Sequence, residues 1–530
     1  MQCFECEGTP QKEVSGFNMG NSRLRRIKRV LVANRGEIAV RIQRTLRELG
    51  IQSVAVYSEA DASALHVQIA DAAVCIGPAE ARASYLNIAA LVDAACATGA
   101  DAVHPGYGFL SENADFARAV DQAGLTFIGP PPDAIEAMGN KVRARQIMIA
   151  AGVPVLQGTE HTADIMQLKR LAGGVGFPLI IKPSAGGGGK GMRIVQAETD
   201  FEAAAASAQR IALNSFGDDR IYLERYLPSA HHVEVQIVAD ATGQAIYLGE
   251  RDCSTQRRYQ KVIEESPSPV VDDSLRERMG KAAVSAAQAA GYCNAGTVEF
   301  VLDENGEFYF LEMNTRLQVE HPVTEWVAGV DLVALQVRLA EGEPLPFKQE
   351  QVFLRGHAIE CRIYAEDPAQ DFMPSGGRIF SLEEPRAPWT RVDSGIFVGW
   401  TVPMEYDPML AKLSVWGPDR ESARRRAIAA LQDYAITGLK TNIGFLLSFL
   451  ECDRFRAGRV TTTYVDEYVK GGAWIGGEDD RQIALAAAFA GMVATEKQVG
   501  VGALARDGGA RRVGHDPWRD PGGWRLTGGR

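Results

Sequence analysis

The sequence predicts a mixed fold, a doubly wound α/β domain at the N-terminus followed by α+β segments. Three observations carry that expectation. Residues 28–58 read strand, helix, strand at the spacing of a βαβ unit. A glycine-rich stretch, "KPSAGGGGKGMRIV" (182–195), sits between two strand-like runs. Long alternating runs dominate 231–320. Over 530 residues, 46% apolar and 23% charged content is the balance of an ordinary globular chain, enough for several domains at ~100–200 residues each.

Residues 1–26 form a polar leader without periodicity. "KRVLVAN" (28–34) has the look of a buried parallel strand. "GEIAVRIQRTLRELG" follows with helical spacing and stops at Gly50, and "QSVAVYS" (52–58) is the next strand. No G-x-G-x-x-G follows the first strand, so a nicotinamide cofactor has little support. "ADAVHPGYGFLSEN" (100–113) ends a further strand in a Gly/Pro loop. The N-terminal α/β domain is therefore set at 27–141. A helix over 141–152 leads into a second domain, 142–348, whose portion from about 155 to 228 reads as a small α+β lid. Within it, "HVEVQIVAD" (232–240) and "AIYLGERDCS" (245–254) flank a turn at Thr242-Gly243, a hairpin signal. A third domain spans 349–470, and a tail richer in Gly, Asp and Arg occupies 471–530.

The glycine stretch is not a P-loop. Ser184 stands where the first glycine belongs, and Gly191 follows Lys190 where a metal-binding hydroxyl is needed. Its flanks, "FPLIIKP" and "MRIVQ", place the glycines at a hairpin tip. Bare backbone there lets N–H groups close on an anion.

At 297–320, "TVEFVLDENGEFYFLEMNTRLQVE", Asn305-Gly306 lies between two apolar-rich runs, a strong hairpin signal. A two-residue loop would set Glu299 directly opposite Glu312, and Thr297 opposite Asn314. Like charges in that position destabilise a sheet, and a shared hard cation such as Mg²⁺ removes the conflict. Continued alternation would place Glu312, Asn314, Arg316, Gln318 and Glu320 on one strand face.

Formal net charge is −11, which argues against a nucleic-acid partner. Of eight cysteines only Cys3 and Cys6 make a C-x-x-C, and no second pair completes a zinc site, so a reducing compartment is expected. The start lacks an apolar signal core, and its early glutamates argue against a mitochondrial transit peptide. The apolar run "IALAAAFAGMVA" (483–494) is shorter than the ~20 residues that span a bilayer. A soluble, cytoplasmic protein with no membrane partner is expected.

Four segments together, "KPSAGGGGKGMR" (182–193), "GERDCSTQRRYQKVIEESP" (249–267), "EMNTRLQVEHPVTE" (312–325) and "GHAIECRIYAEDP" (356–368), resemble biotin carboxylase, the ATP-grasp component of biotin-dependent carboxylases. The resemblance covers about 27–470. It implies an ATP-grasp fold with an N-terminal doubly wound domain, a mobile lid and a C-terminal biotin carboxylase domain. It also implies ATP, Mg²⁺ or Mn²⁺, bicarbonate, and biotin presented on a separate carrier. For the nucleotide it points to Lys141, Lys182, the flap glycines Gly187, Gly188 and Gly189, the hinge residues Glu224, Arg225 and Leu227, then His232, Gln256 and Tyr259, with Glu299 and Glu312. Metal ligands would be Glu299, Glu312 and Asn314. Bicarbonate would meet Lys261, Arg316, Gln318 and the backbone of Val319. Glu320 would be the general base, and Arg362 would stabilise the biotin enolate.

Simpler roles exist for some of these residues. Arg316 at four residues from Glu320 suits an ion pair, Lys261 a solvated face and Arg362 a strand ion pair. Tyr259 replaces a histidine found in some members, and Arg225 replaces a common lysine. No Met-Lys-Met biotinylation motif occurs, while "DPWRDPGGWRL" (516–526) resembles the entry to a following region of acyl-CoA carboxylase α-chains. A shortened α-chain is expected, working as a homodimer with a carrier protein and a carboxyltransferase subunit. An uncoupled fragment and a non-catalytic ATP-binding scaffold are the alternatives.

Overall fold

The computed structural model describes residues 26–184 and 191–472. The flap glycines Gly187, Gly188 and Gly189 and the tail with Trp518 and Trp524 lie outside the described residues. Five parallel strands open the chain: β1 (Arg29–Val32), β2 (Gln52–Ser58), β3 (Ala72–Gly77), β4 (Ala102–His104) and β5 (Thr126–Phe127), in the order β3-β2-β1-β4-β5. Both faces are covered. Val30 and Val32 pack with Ile38, Ile42 and Leu46 of the helix Gly36–Glu48. Leu31 between them packs with Leu91 and Phe116 on the other side. That two-sided burial is why the first strand reads as an unbroken apolar run.

The glycine stretch is flanked as expected. β6 (Leu179–Pro183) pairs antiparallel with β7 (Arg193–Val195) and, on its other edge, with β8 (Ile221–Arg225). The helices Ile165–Val175 and Phe201–Phe216 supply Leu168, Ala172, Phe201 and Ala205 to the core beneath this sheet.

The largest sheet holds the site. β9 (His231–Ala239), β10 (Ala245–Arg257), β11 (Gln260–Ser266), β12 (Asn294–Leu302), β13 (Phe308–Asn314) and β14 (His357–Tyr364) join the strands Met409–Gly417 and Thr390–Ser394. Their order is β13-β12-β9-β10-β11-β14, then 409–417, then 390–394. Hydrogen bonding therefore continues without a break across residue 348.

Two expectations about the β12–β13 hairpin need correction. The loop has three residues, Glu304, Asn305 and Gly306, because Asp303 N–H donates to Glu307 O at 2.9 Å. Asp303 Oδ1 accepts from the N–H groups of Asn305 and Glu307, and Gly306 takes φ +79°. This is the longer hairpin loop with a left-handed glycine. It pairs Leu302 with Phe308 and Phe300 with Phe310, one residue off the expected register. A bulge at Leu311 then restores it, so that Glu299 does face Glu312 and Thr297 does face Asn314. The alternation also stops early. β13 ends at Asn314, and residues 315–320 turn into the helix His321–Ala328, with Glu320 at its N-cap position and Pro322 in the first turn.

Candidate active site

Three carboxylates stand in a row across three strands. Glu234 on β9 is the register partner of Glu299 on β12, itself the partner of Glu312 on β13. Lys261 on β11 reaches into the row. Its ammonium donates to Glu234 Oε2 at 2.6 Å, to Glu299 Oε1 at 2.9 Å and to Glu320 Oε1 at 2.6 Å. Arg251, fully buried on β10, makes five hydrogen bonds, one for each N–H. They go to Glu234, Gln236 (2.7 Å), Thr324 (2.9 Å), Thr297 (3.0 Å) and Gln318 (2.7 Å). Gln318 passes the order on, donating to Glu299 Oε1 at 2.8 Å. Arg362 on β14 completes the cluster, with Nε to Glu264 Oε1 at 2.6 Å and a terminal N–H to Glu320 Oε2 at 3.0 Å.

Charge follows from these contacts. Burial opposes ionisation of Glu320, but Lys261, Arg362 and Arg251 outweigh it and hold the carboxyl below the usual range. Glu299 is likewise held well below it, against burial, by Lys261 and His232. His232 Nε2 lies 2.8 Å from Glu299 Oε2, and that carboxylate raises the imidazole despite burial. Burial also works against the Lys261 charge, yet Cys253 and the three carboxylates raise it well above an ordinary lysine. Glu312 behaves differently. Desolvation pushes its carboxyl up, followed by repulsion from Glu299 and Glu112, although its side chain is open to solvent.

Glu299, Glu312 and Asn314 offer hard oxygen atoms, the chemistry Mg²⁺ or Mn²⁺ takes. Among the described residues no hydrogen bond or ion pair engages the Glu312 carboxylate, on which Lys141 and Lys261 act only through longer-range attraction, so its oxygens are free to take a cation. Asn314 donates to Glu299 Oε1 (2.8 Å), and its Oδ1 accepts from Arg316 (2.7 Å). These donors fit a divalent cation. A second group, His232, Glu234 and Glu299, has ligand atoms within 4.8 Å of one another. The Lys261 ammonium bonds two of the three and fills that place.

The other predicted residues fall around this core. Arg316 pairs with Glu112 (3.0 Å), not with Glu320 as its spacing allowed, because the strand has ended and its side chain points elsewhere. Val319 O accepts from Lys412 Nζ at 2.9 Å. Lys182 on β6 bonds Glu224 on β8, and Arg145 lies 3.6 Å from the same carboxylate. Lys141 opens the helix Lys141–Ala150, where burial lowers it and Glu312 raises it. Arg225 is exposed and its N–H is taken by Gln157 O (2.9 Å), while Leu227 follows outside the strand. Gln256 is buried opposite Lys261 on β10. Tyr259 is half exposed at the tip of the β10–β11 hairpin, where Arg258 and Tyr259 take φ +50° and +69°. Two successive non-glycine residues in the left-handed region mark a strained turn.

Sequence models of three families match along the chain in order: the biotin carboxylase N-terminal domain over 26–135, the carbamoyl-phosphate synthase L chain ATP-binding domain over 140–348, and the biotin carboxylase C-terminal domain over 360–467. The biotin carboxylase of Nostoc sp. is 51% identical over 443 residues, covering 83% of this chain and 99% of its own length. The chain belongs to the biotin carboxylase family. It also shares 54% identity over 445 residues with the mitochondrial methylcrotonoyl-CoA carboxylase subunit alpha of Oryza sativa, spanning 83% of this chain but only 60% of that longer one. The biotin carboxylase domain of the Hydrogenobacter thermophilus 2-oxoglutarate carboxylase, solved as a dimer with MgADP, ADP and bicarbonate, matches with a TM-score of 0.81 and 46% identity. That match covers 83% of this chain and 98% of the other. The ATP-grasp biotin carboxylase fold thus accounts for the described residues. Among them, no helix is long and apolar enough to cross a membrane.

Sequence reasoning missed Glu234, Arg251, Glu264, Glu112 and Lys412. The β9 alternation was a usable signal for Glu234, which lies two residues beyond His232 on the same strand face. Arg251 is the register partner of Glu234 in the β9–β10 hairpin, where a register shift between Tyr247 and Glu250 hides the pairing, whereas the contacts of Glu112, Glu264 and Lys412 depend on pairings far apart in sequence.

Proposed function

We propose that this chain carboxylates biotin with bicarbonate and ATP, acting on biotin held by a separate carrier protein, as the first half-reaction of a biotin-dependent carboxylase. The observation that carries the reading is the convergence of Lys261 and Arg362 on Glu320, beside the opposed pair Glu299 and Glu312. A bicarbonate anion entering there meets Lys261, Arg316, Gln318 and the backbone of Val319. It draws off part of the charge that Lys261 and Arg362 place on Glu320, so that carboxylate becomes a stronger base as its substrate arrives.

Glu320 takes the bicarbonate proton, and a bicarbonate oxygen attacks the γ-phosphorus of ATP. The bond to the β–γ bridging oxygen breaks, giving carboxyphosphate and ADP. Such a transfer depends on alignment and charge neutralisation more than on covalent help. Lys141, Lys182, His232 and Gln256, with the hinge Glu224, Arg225 and Leu227 and the nearby Tyr259, line the nucleotide side. Mg²⁺ or Mn²⁺ held by Glu299, Glu312 and Asn314 would neutralise phosphate charge. Carboxyphosphate then splits to CO₂ and phosphate, the phosphate removes the biotin ureido proton, and the nitrogen attacks CO₂. Arg362 faces the enolate oxygen that forms in between.

A second copy of the chain, the carrier and a carboxyltransferase complete the expected assembly. The acyl acceptor is the choice of the carboxyltransferase, in keeping with relatives named for methylcrotonoyl-CoA and for 2-oxoglutarate. ADP release in the presence and absence of bicarbonate tests the reading. Wild type should require bicarbonate, and Glu320→Gln should lose about 10²–10⁴-fold in turnover with ATP binding nearly unchanged. Turnover in Glu320→Gln equal to wild type would remove Glu320 from the base role.

A further inference from the structure

Behind Arg362 lies a carboxyl group that the chemistry above does not use. Glu360 stands two residues earlier on β14, on the same face of the sheet, and is fully buried. Neither of its oxygens has a hydrogen-bond partner among the described residues. Its register partner on β11 is Glu264, also fully buried. Glu264 Oε1 accepts from Arg362, while its Oε2 has no partner. Opposed residues of an antiparallel pair stand about 5 Å apart at Cβ, close enough for two carboxyl groups to meet. Two anions at that separation, out of water, repel strongly.

Lys412 and Arg362 attract charge on Glu360, but neither hydrogen-bonds it, and burial outweighs both. Arg362 divides its charge between Glu264 and Glu320, with the Tyr364 hydroxyl also against it. Lys412, on the strand Met409–Gly417, gives its ammonium to Val319 O and lies 3.4 Å from Glu37 on the helix Gly36–Glu48. From the helix above, His321 is neutral, because burial and the nearby cations hold it well below its usual value. On β10, Cys253 is a thiol that burial pushes far up.

We propose that Glu360 is a protonated carboxylic acid whose O–H donates to Glu264 Oε2, so that a carboxyl–carboxylate pair with one shared proton sits behind Arg362 and sets how much of its charge reaches Glu320. The proton stays on Glu360, and no bond to carbon changes. Burial drives Glu360 well above the carboxylate range and raises Glu264 to about 7, with Glu320 adding repulsion. With one negative charge on the pair, Arg362 is shared between β11 and Glu320. If Glu264 becomes neutral, Arg362 turns wholly to Glu320 and weakens it as a base. Glu264 and Glu360 are thus positioning residues that act through Arg362. This second half rests on the proposed roles of Arg362 and Glu320, whereas the proton on Glu360 does not.

Infrared spectra of the full chain at alkaline pH, above the value of about 7 to which Glu264 is raised, test the proton directly. A protonated-carboxyl C=O band should be present in wild type, lost in Glu360→Gln and kept in Glu264→Gln. Persistence of every such band in Glu360→Gln would overturn the proposal. Failure of Glu360→Gln to fold would overturn it equally, since an amide matches a neutral carboxyl in shape and charge. The coupling is read from the pH profile of bicarbonate-dependent ADP release. Wild type should slow as pH falls through about 7. Glu264→Gln should sit about tenfold lower at every pH through that range, without the inflection, and Glu360→Gln should stay within about twofold of wild type at neutral pH. An inflection unchanged in Glu264→Gln would refute the coupling. If wild type shows no bicarbonate dependence at all, the proposed function fails, and the infrared band still decides the proton.

Discussion

Lys261 is the residue on which the charge balance of the site turns. One ammonium serves three buried carboxylates, Glu234, Glu299 and Glu320, each of which has a further cationic or polar partner but none to spare. Removing one member of such a cluster leaves its partners charged and dry, which typically costs about 3 kcal/mol or more. Lys261→Met should therefore lose about 3 kcal/mol in urea denaturation as well as bicarbonate-dependent turnover. An unchanged midpoint would mean that the carboxylates find other partners and that the lysine is not central. Of this cluster, Lys261, Glu299, Glu320 and Arg362 were legible through the family resemblance. Glu234 and Arg251 were not, because the turn at Thr242-Gly243 marks the β9–β10 hairpin but not the register shift between Tyr247 and Glu250 that sets the two opposite each other.

At the scale of elements, the β12–β13 hairpin shows how a correct pairing arises by a different route. Asn305-Gly306 marked the turn, but Asp303 caps a three-residue loop and shifts the register by one. Leu311 then bulges and shifts it back. A turn dipeptide in the sequence does not reveal a bulge several residues downstream, so the opposition of Glu299 and Glu312 was anticipated from an incomplete geometry. Gly306→Ala should cost about 1 kcal/mol, since an L side chain must adopt φ +79°, yet leave the Mg²⁺ dependence unchanged because the register is reset beyond the turn. A shifted Mg²⁺ titration would show that the loop, not the bulge, sets the pair. A second element-scale device joins β11, β14 and the helix Arg420–Asp433. Glu265 accepts from Arg420 at 2.6 and 3.0 Å and meets His357 at 2.7 Å. Against burial, His357 and Arg420 bring its carboxyl from 4.5 down to about 2. A depressed carboxyl stabilises above its unfolded value, and that contribution is lost as pH falls from about 4.5 towards about 2. Arg420→Gln should flatten the acid limb of stability in that window by about 1–3 kcal/mol. A limb as steep as wild type would place the acid sensitivity elsewhere.

Across the whole molecule, the parallel sheet and the segment order were plain in the sequence, because apolar runs and βαβ spacing are local signals. The continuous eight-stranded sheet was not, since it joins β11 to β14 across nearly a hundred residues of intervening chain. That joint brings Arg362 beside Glu320 and makes one site from segments matched by two separate family models. In the proposed reaction this site moves the carbon of bicarbonate onto biotin at the expense of ATP. The most direct measurement supplies the full chain with labelled bicarbonate, ATP, Mg²⁺ and free biotin, and compares acid-labile labelled carboxybiotin with ADP formed. Label on biotin should never exceed the ADP formed and should disappear when ATP is omitted, and Arg362→Gln should lose more label than ADP formation. ATP cleavage without any label on biotin, or label formed without ATP, would contradict that reaction.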